Sequence, residues 1–245
     1  MKTDYNSILK YLENCSICPR NCSVNRFLSN NGYCSSGIDV GVASVCIHHG
    51  EEPAVSGENG ICNVFFTKCN LQCIYCQNYQ ISCNASNDYE KILSLNEVVN
   101  LIIPLLDSGC HAVGFVSPSH YALHVKVIID ELNKKGYKPV CVYNTNSFDK
   151  VETLKLLENV VDVYLVDFKY FDTNLADKLS GAYNYPDVAL KAIKEMYRQK
   201  GNVLHFNEKG EVISGLIIRH LVMPGYTDNS KNVLKINADE ISPNI

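Results

Sequence analysis

From residue 60 onward, short apolar runs of strand length alternate with longer helical stretches, and this alternation sets the fold class. Residues 62–67 (Cys-Asn-Val-Phe-Phe-Thr) read as a buried strand. Ser94-Leu-Asn-Glu97 is a capping box that starts a helix running to about Asp107 and stopping near Gly109. Residues 111–116 form a second strand, 121–135 a helix ended by Gly136, and 139–143 a third strand. A helix at 149–158 and a strand at 161–168 follow. Pro186 suits the first turn of a helix that starts at Tyr185 and ends near Gly201. Residues 216–223 make a fifth strand and 229–238 a last helix. Strands alternating with helices of this length predict βαβ units and a parallel sheet. Right-handed crossovers wind such a sheet into an open sheet or part of a barrel. Residues 1–59 differ, being rich in Gly, Asn, Ser and Cys, with short strands at best, around 40–47. They are expected to form a small metal-organised lobe, which divides the chain into 1–59 and 60–245.

The length of 245 residues, 46% of them hydrophobic, allows one large domain or one domain plus a small appendage. The net charge of −4 comes with no basic stripe that would suit nucleic acid. The longest nearly apolar stretch, 98–106, is interrupted by Asn100 and Pro104 and is too short to cross a bilayer. The opening residues, Met-Lys-Thr-Asp-Tyr-Asn, lead into no signal-peptide core. The expected compartment is the cytoplasm, where thiols stay reduced. Twelve cysteines is a high count there. Seven fall into two sets with ligand-like spacing, 15/18/22/34 and 69/73/76. Cys46, Cys62, Cys83, Cys110 and Cys141 are scattered and read as small buried hydrophobes. A disulfide framework is disfavoured, because a chain of this size can build a core without one.

The second cysteine set follows the first strand directly. Cys69, Cys73 and Cys76 have the spacing C-x3-C-x2-C, with Tyr75 before the last. Three thiolates can hold three irons of a [4Fe-4S] cluster. The fourth iron then has no ligand from this loop and is open to a small molecule. In parallel α/β folds, ligands bind at the C-terminal ends of the strands. Those ends carry Ser117, Ser119 and His120; Asn144 and Thr145; Asp167 and Lys169; and Arg219 and His220. Hydrogen-bonding side chains at every strand end, near one cysteine loop, predict a pocket for a polar cofactor. Asp167 and Lys169 are two apart and face one side of a strand. They read either as a salt bridge at a barrel mouth or as a pair holding a zwitterionic ligand. His120 reads as a general base or as a helix N-terminal residue, and His48 and His49 fall outside the rim. Cys15, Cys18, Cys22 and Cys34 suit either a tetrahedral zinc or a second iron–sulfur cluster. Arg20 and Arg26 are placed to offset its charge.

These residues resemble the radical S-adenosylmethionine (SAM) superfamily, whose signature is the C-x3-C-x2-C loop with an aromatic before its last cysteine. Gln77-Asn78-Tyr79 and Ile81-Ser82 resemble the branch of pyruvate formate-lyase activating enzymes. Cys18-Pro-Arg, Val24-Asn-Arg26, Gly50-Glu-Glu-Pro53, Asp167-Phe-Lys-Tyr170 and Arg219-His-Leu-Val222 are similar to runs in activating-enzyme-like iron–sulfur proteins. The resemblance covers residues 15–225 and implies a partial (β/α)6 TIM-like barrel with Cys69, Cys73 and Cys76 on a [4Fe-4S] cluster. It implies SAM on the fourth iron, cleaved by one electron to a 5′-deoxyadenosyl radical that abstracts hydrogen. Tyr75 belongs to this cofactor set. Asp167, Lys169 and Arg219 are implied to contact SAM, with Asn144 and Thr145 near its ribose or a cation. Ser117 and Ser119 stand where the family usually has a glycine-rich turn. The implied partners are a flavodoxin or ferredoxin as electron donor and a protein or peptide substrate, with glycyl radical formation as one outcome. Radical modification of a small molecule, and a non-catalytic iron–sulfur or zinc protein, are the alternatives. Relatives continue into a sixth strand, about where this chain stops, so the barrel is expected to lack its last strand.

Overall fold

The computed structural model describes residues 8–85 and 88–245. The opening residues 1–6, read above for signal-peptide character, lie outside them. Among the described residues, the strands are β1 (Val40–His48), β2 (Ile61–Phe66), β3 (Lys91–Leu93), β4 (Ala112–Val116), β5 (Val140–Thr145), β6 (Val163–Asp167), β7 (His205–Phe206) and β8 (Val212–Arg219). They form one sheet in the order β3-β1-β2-β4-β5-β6-β8-β7. The middle five run parallel, paired for example through Asn63↔Gly114, Val116↔Asn144, Thr145↔Val166 and Asp167↔Arg219. β1 and β3 extend one edge antiparallel, and β7 lies antiparallel on the other. This is an α/β partial TIM-like barrel with a cysteine-rich N-terminal segment. Its parallel strands number five, one fewer than the resemblance implies.

Helices connect the parallel strands, α3 (Leu95–Asp107), α4 (Ala122–Lys134), α5 (Val151–Leu156), α6 (Thr173–Ser180) and α7 (Tyr185–Lys200), and α8 (Thr227–Glu240) follows the last of them. Two single turns, α1 (Pro53–Ser56) and α2 (Tyr79–Ser82), flank β2 and the cysteine loop. β2, β4 and β6 are buried at nearly every position, as parallel strands covered on both faces must be. On one face their apolar side chains join Val98, Ile102, Val125, Ile128 and Ile193 from the helices in the main core, and on the other Ile61, Ala112, Val163 and Leu165 belong to a second apolar cluster. The capping box starts α3 as the sequence predicts. The Glu97 N–H donates to Ser94 Oγ, and the Ser94 N–H donates to the Glu97 carboxylate at 2.8 Å.

Three elements differ from the sequence reading. β1 lies on the N-terminal side of the 59/60 division, yet it pairs with β2 from Val42↔Phe66 to His48↔Ile61, so the sheet runs across that division. The fifth parallel strand spans 212–219 and not 216–223, because its partner β6 ends at the Asp167↔Arg219 pair. The apolar run continues past the sheet, leaving Leu221 and Val222 55% and 61% exposed. α6 was not foreseen, although both its ends are signalled. Asp172 accepts from the Leu175 N–H at one end, and Gly181, with φ 58°, closes the other. All twelve cysteines are free thiols; of the scattered five, Cys62, Cys110 and Cys141 are buried, Cys46 is half-buried and Cys83 is exposed.

Replacing Ser94 by Ala removes the cap of α3 and is expected to lower stability by about 1 kcal/mol. Urea unfolding should show an earlier midpoint with an unchanged slope.

Candidate active site

A cavity of about 480 Å³ lies at the C-terminal ends of the parallel strands. Cys69, Cys73 and Cys76 line one side of it, and Asn144, Asp167, Lys169 and Arg219 another. The cysteine loop leaves β2 through Lys68, whose left-handed φ of 65° turns the chain out of the strand. Backbone hydrogen bonds then fix the loop on both sides. The Lys68 N–H donates to the Ile81 carbonyl at 2.7 Å, and the Ile74 N–H to the Leu179 carbonyl at 2.9 Å. The Cys69 N–H donates to Asn84 Oδ1 at 2.9 Å.

Each sulfur of the loop accepts at least one hydrogen bond. Cys69 Sγ accepts from the Leu71 N–H and from Asn146 Nδ2, both at 3.4 Å. Cys76 Sγ accepts from the Ser82 hydroxyl at 3.2 Å, and Cys73 Sγ from the Ser180 hydroxyl at 2.9 Å. A hydroxyl has one proton to give. Ser180 gives its own to Cys73, so it accepts from Tyr170 at 2.6 Å, and Tyr170 in turn accepts from Tyr75. The chain Tyr75→Tyr170→Ser180→Cys73 is therefore directional.

Burial pushes the Cys69 thiol up to about 12. It raises Cys73 as well, against the opposing pull of Lys169 and the Ser180 hydrogen bond. The Cys69 and Cys73 thiols are therefore protonated at neutral pH, so their ligation releases protons. Among the described residues, no three His, Cys, Asp or Glu side chains converge on a point as one metal ion requires. A cluster gives each thiolate its own iron, so three separated sulfurs with donors already aimed at them suit a [4Fe-4S] group.

Opposite the loop, Asp167 binds two cations. Lys169 Nζ donates to Asp167 Oδ2 at 2.7 Å, and Arg219 Nε to Asp167 Oδ1 at 2.9 Å. Burial alone would raise the Asp167 carboxyl, but Lys169 and Arg219 outweigh it and hold the group below its ordinary value of 3.8. Its contribution to stability is therefore fully present above that value and is lost as pH falls through the lower folded one. Burial would lower Lys169, yet Asp167 and then Cys73 outweigh it and raise the ammonium. Arg219 also reaches Asn144 Oδ1 at 2.7 Å and Glu52 at 3.5 Å.

Sequence reasoning missed Glu51, which lines the cavity. Its carboxylate accepts from Asn63 Nδ2 at 3.0 Å and from Asn144 Nδ2 at 3.3 Å. Asn63 can occupy the sheet only because its neighbour is Gly114, where an added Cβ would fall 2.0 Å from Asn63 Oδ1. Gly114 is thus the one local signal that a polar side chain crosses this stretch of sheet. Asn146, Ser180 and Ser82 were missed too, because they reach the sulfurs only through the fold.

The predicted rim residues separate into two groups. Tyr75, Ser117, Asn144, Asp167, Lys169 and Arg219 line the cavity, and so does His48, which had been placed outside the rim. Ser117 holds a left-handed φ of 52°, which glycine adopts at no cost, and its N–H donates to the Asn144 carbonyl. Ser119 and Thr145 are both 1% exposed and lie beneath the cavity floor. They bond each other at 3.2 Å, and Thr145 donates to Asp149. His120 is buried with Nε2 on the Thr67 carbonyl at 2.9 Å, and burial lowers it to about 3. His220 is held away by the Phe168 carbonyl and Ser230. Cys15, Cys18, Cys22 and Cys34 gather at a separate pocket with Arg20, Arg26 and His120.

The family model for the radical SAM superfamily matches residues 63–235, more than half of the chain. This chain belongs to the radical SAM superfamily. The family implies a [4Fe-4S] cluster and SAM as cofactors, and its enzymes draw on a reductant. An uncharacterised protein of Methanocaldococcus jannaschii is 30% identical over 225 residues, covering 88% of this chain and 59% of that protein. The chain thus spans little more than half the length of that relative. The pyruvate formate-lyase-activating enzyme of Staphylococcus aureus is 23% identical over 193 residues, covering 72% of this chain and 68% of the enzyme. Among the described residues, no helix is long and apolar enough to cross a membrane.

In this radical SAM protein, replacing Ser180 by Ala removes the donor to Cys73. A hydrogen bond worth about 1 kcal/mol more to the reduced cluster shifts a one-electron couple by about 40 mV. A potentiometric titration followed by EPR should find the variant's cluster harder to reduce by that order.

Proposed function

We propose that this chain binds SAM in the cavity beside a [4Fe-4S] cluster on Cys69, Cys73 and Cys76 and modifies a protein or peptide, with formation of a glycyl radical as the reaction that fits its relatives. The observation that carries this reading is the pairing, across one cavity, of three hydrogen-bonded thiols with the Lys169–Asp167–Arg219 set. The protein substrate follows from the resemblance to the activating enzyme and from nothing in the cavity itself. A flavodoxin or ferredoxin is the proposed electron donor, and a reducing compartment such as the cytoplasm suits twelve free thiols.

A cluster held by these three thiolates would supply the one-electron reduction on which SAM cleavage depends. The residues of the chain bind, orient and shield. Lys169 and Arg219 present positive charge to the carboxylate of the ligand, and Asp167 presents negative charge to its amino group. Asn144 and Glu51 offer polar atoms further along the same wall. Phe65, Phe66, Leu71, Ile81, Val116 and Leu221 form the apolar part of the lining and keep water from the reacting carbon. Tyr75, tied to Tyr170, closes the loop side of the cavity.

Anaerobic reconstitution, reduction with dithionite and addition of SAM should release 5′-deoxyadenosine and methionine. A spectroscopically confirmed cluster that yields neither product would favour an electron-transfer or scaffold role. Asp167→Asn should keep the cluster but raise the SAM Kd at least tenfold, since the lost charge-assisted contact is worth about 1.5–3 kcal/mol. Equal SAM binding by the variant and the wild type would remove Asp167 from the ligand site.

A further inference from the structure

We propose that Cys15, Cys18, Cys22 and Cys34 form a second, four-thiolate metal centre that clamps the N-terminal segment onto the Cys69 loop. Its ligand is of the thiophilic class: an iron–sulfur cluster suits sulfurs that do not converge on one point, and a zinc ion would have to draw the four together. The four side chains surround one small void of about 10 Å³, together with Arg20, Arg26 and His120. Cys15, Cys18 and Cys34 are buried, and Cys22 Sγ accepts from the Tyr33 N–H at 3.3 Å. The sulfurs ring the void without converging on one point, which is also true of Cys69, Cys73 and Cys76.

Two observations beyond the cysteines point to an anionic occupant. Arg26 is 2% exposed, and its guanidinium donates to the carbonyls of Gly37 and His120, lies over the Tyr121 ring and reaches the Cys15 side chain, with no carboxylate among these partners. Burying a guanidinium without a counter-charge is costly, and a four-thiolate centre supplies that charge. At the edge of the same void, Arg20 Nη2 is buried with no hydrogen-bond partner among the described residues.

Arg20 gives the centre its second role. It lies 3.7 Å over the Tyr33 ring and donates to the carbonyls of Asn70 at 2.9 Å and Gly181 at 2.8 Å. Asn70 follows Cys69, and Gly181 follows Ser180, the donor to Cys73. Lys68 Nζ reaches the Ser35 carbonyl at 2.7 Å, beside Cys34. Order at the four cysteines is thereby passed to the backbone that holds the other three.

The test uses the full chain with Cys69, Cys73 and Cys76 all replaced by Ala, purified without oxygen. Metal analysis should find zinc, or iron with acid-labile sulfide, retained by this variant. X-ray absorption at the retained metal should show a sulfur-only ligand shell. Zinc alone would identify an ion, and iron with sulfide a cluster. Adding Cys15→Ala and Cys18→Ala should abolish the retention. No retained metal, or a shell of oxygen and nitrogen, would overturn the proposal even if the five-fold variant cannot be folded. None of these readings depends on SAM or activity, so they stand apart from the fate of the SAM assignment.

Discussion

Asp167 is the residue on which the rest of the site depends. Its carboxylate sits at the end of β6 and binds Lys169 from its own strand end and Arg219 from the neighbouring strand. Arg219 extends the network to Asn144 at the end of β5 and to Glu51 and Glu52 beyond β1. One carboxylate thus ties together three parallel strand ends and the N-terminal segment. Two cations thus meet three carboxylates, Asp167, Glu51 and Glu52, and Lys169 is the cation that acts on the loop of three thiols. Lys169 contributes to lowering both Cys69 and Cys73 against the effect of burial. The same charges that brace the barrel mouth therefore also suit an anionic cluster and a zwitterionic ligand.

Much of the fold was legible because its parallel strands are continuous apolar runs and its helices carry strong end signals. The Ser94–Glu97 box and Gly136 are examples. The shift of the last parallel strand shows the limit. Apolar residues continue to Met223, but a strand needs a partner, and β6 ends opposite Arg219. β3 and β7 have three and two residues, too few for any periodicity to register.

The candidate site was legible where chemistry is local in sequence. The cysteine loop and the Asp167–Lys169 pair are short motifs with a physical meaning. Glu51, Asn146 and Ser180 were not legible, because their roles arise from contacts across 93, 77 and 107 residues of chain. Ser119 and Thr145 show the converse. Ser119 comes after the left-handed turn at Ser117, and Thr145, the last residue of β5, faces the side opposite to Asn144, so both lie beneath the cavity near Asp149. Position at a strand end selects candidates, and the backbone conformation decides which of them face the ligand.

The central claim is that the loop leaves one iron open and that SAM occupies it. The most direct measurement is the EPR spectrum of the reduced, reconstituted protein before and after SAM is added. Binding at the cluster predicts a changed spectrum on addition of SAM, and a much weaker response in Asp167→Asn at the same concentration. A wild-type spectrum that SAM leaves unaltered, with the cluster fully assembled, would contradict the claim.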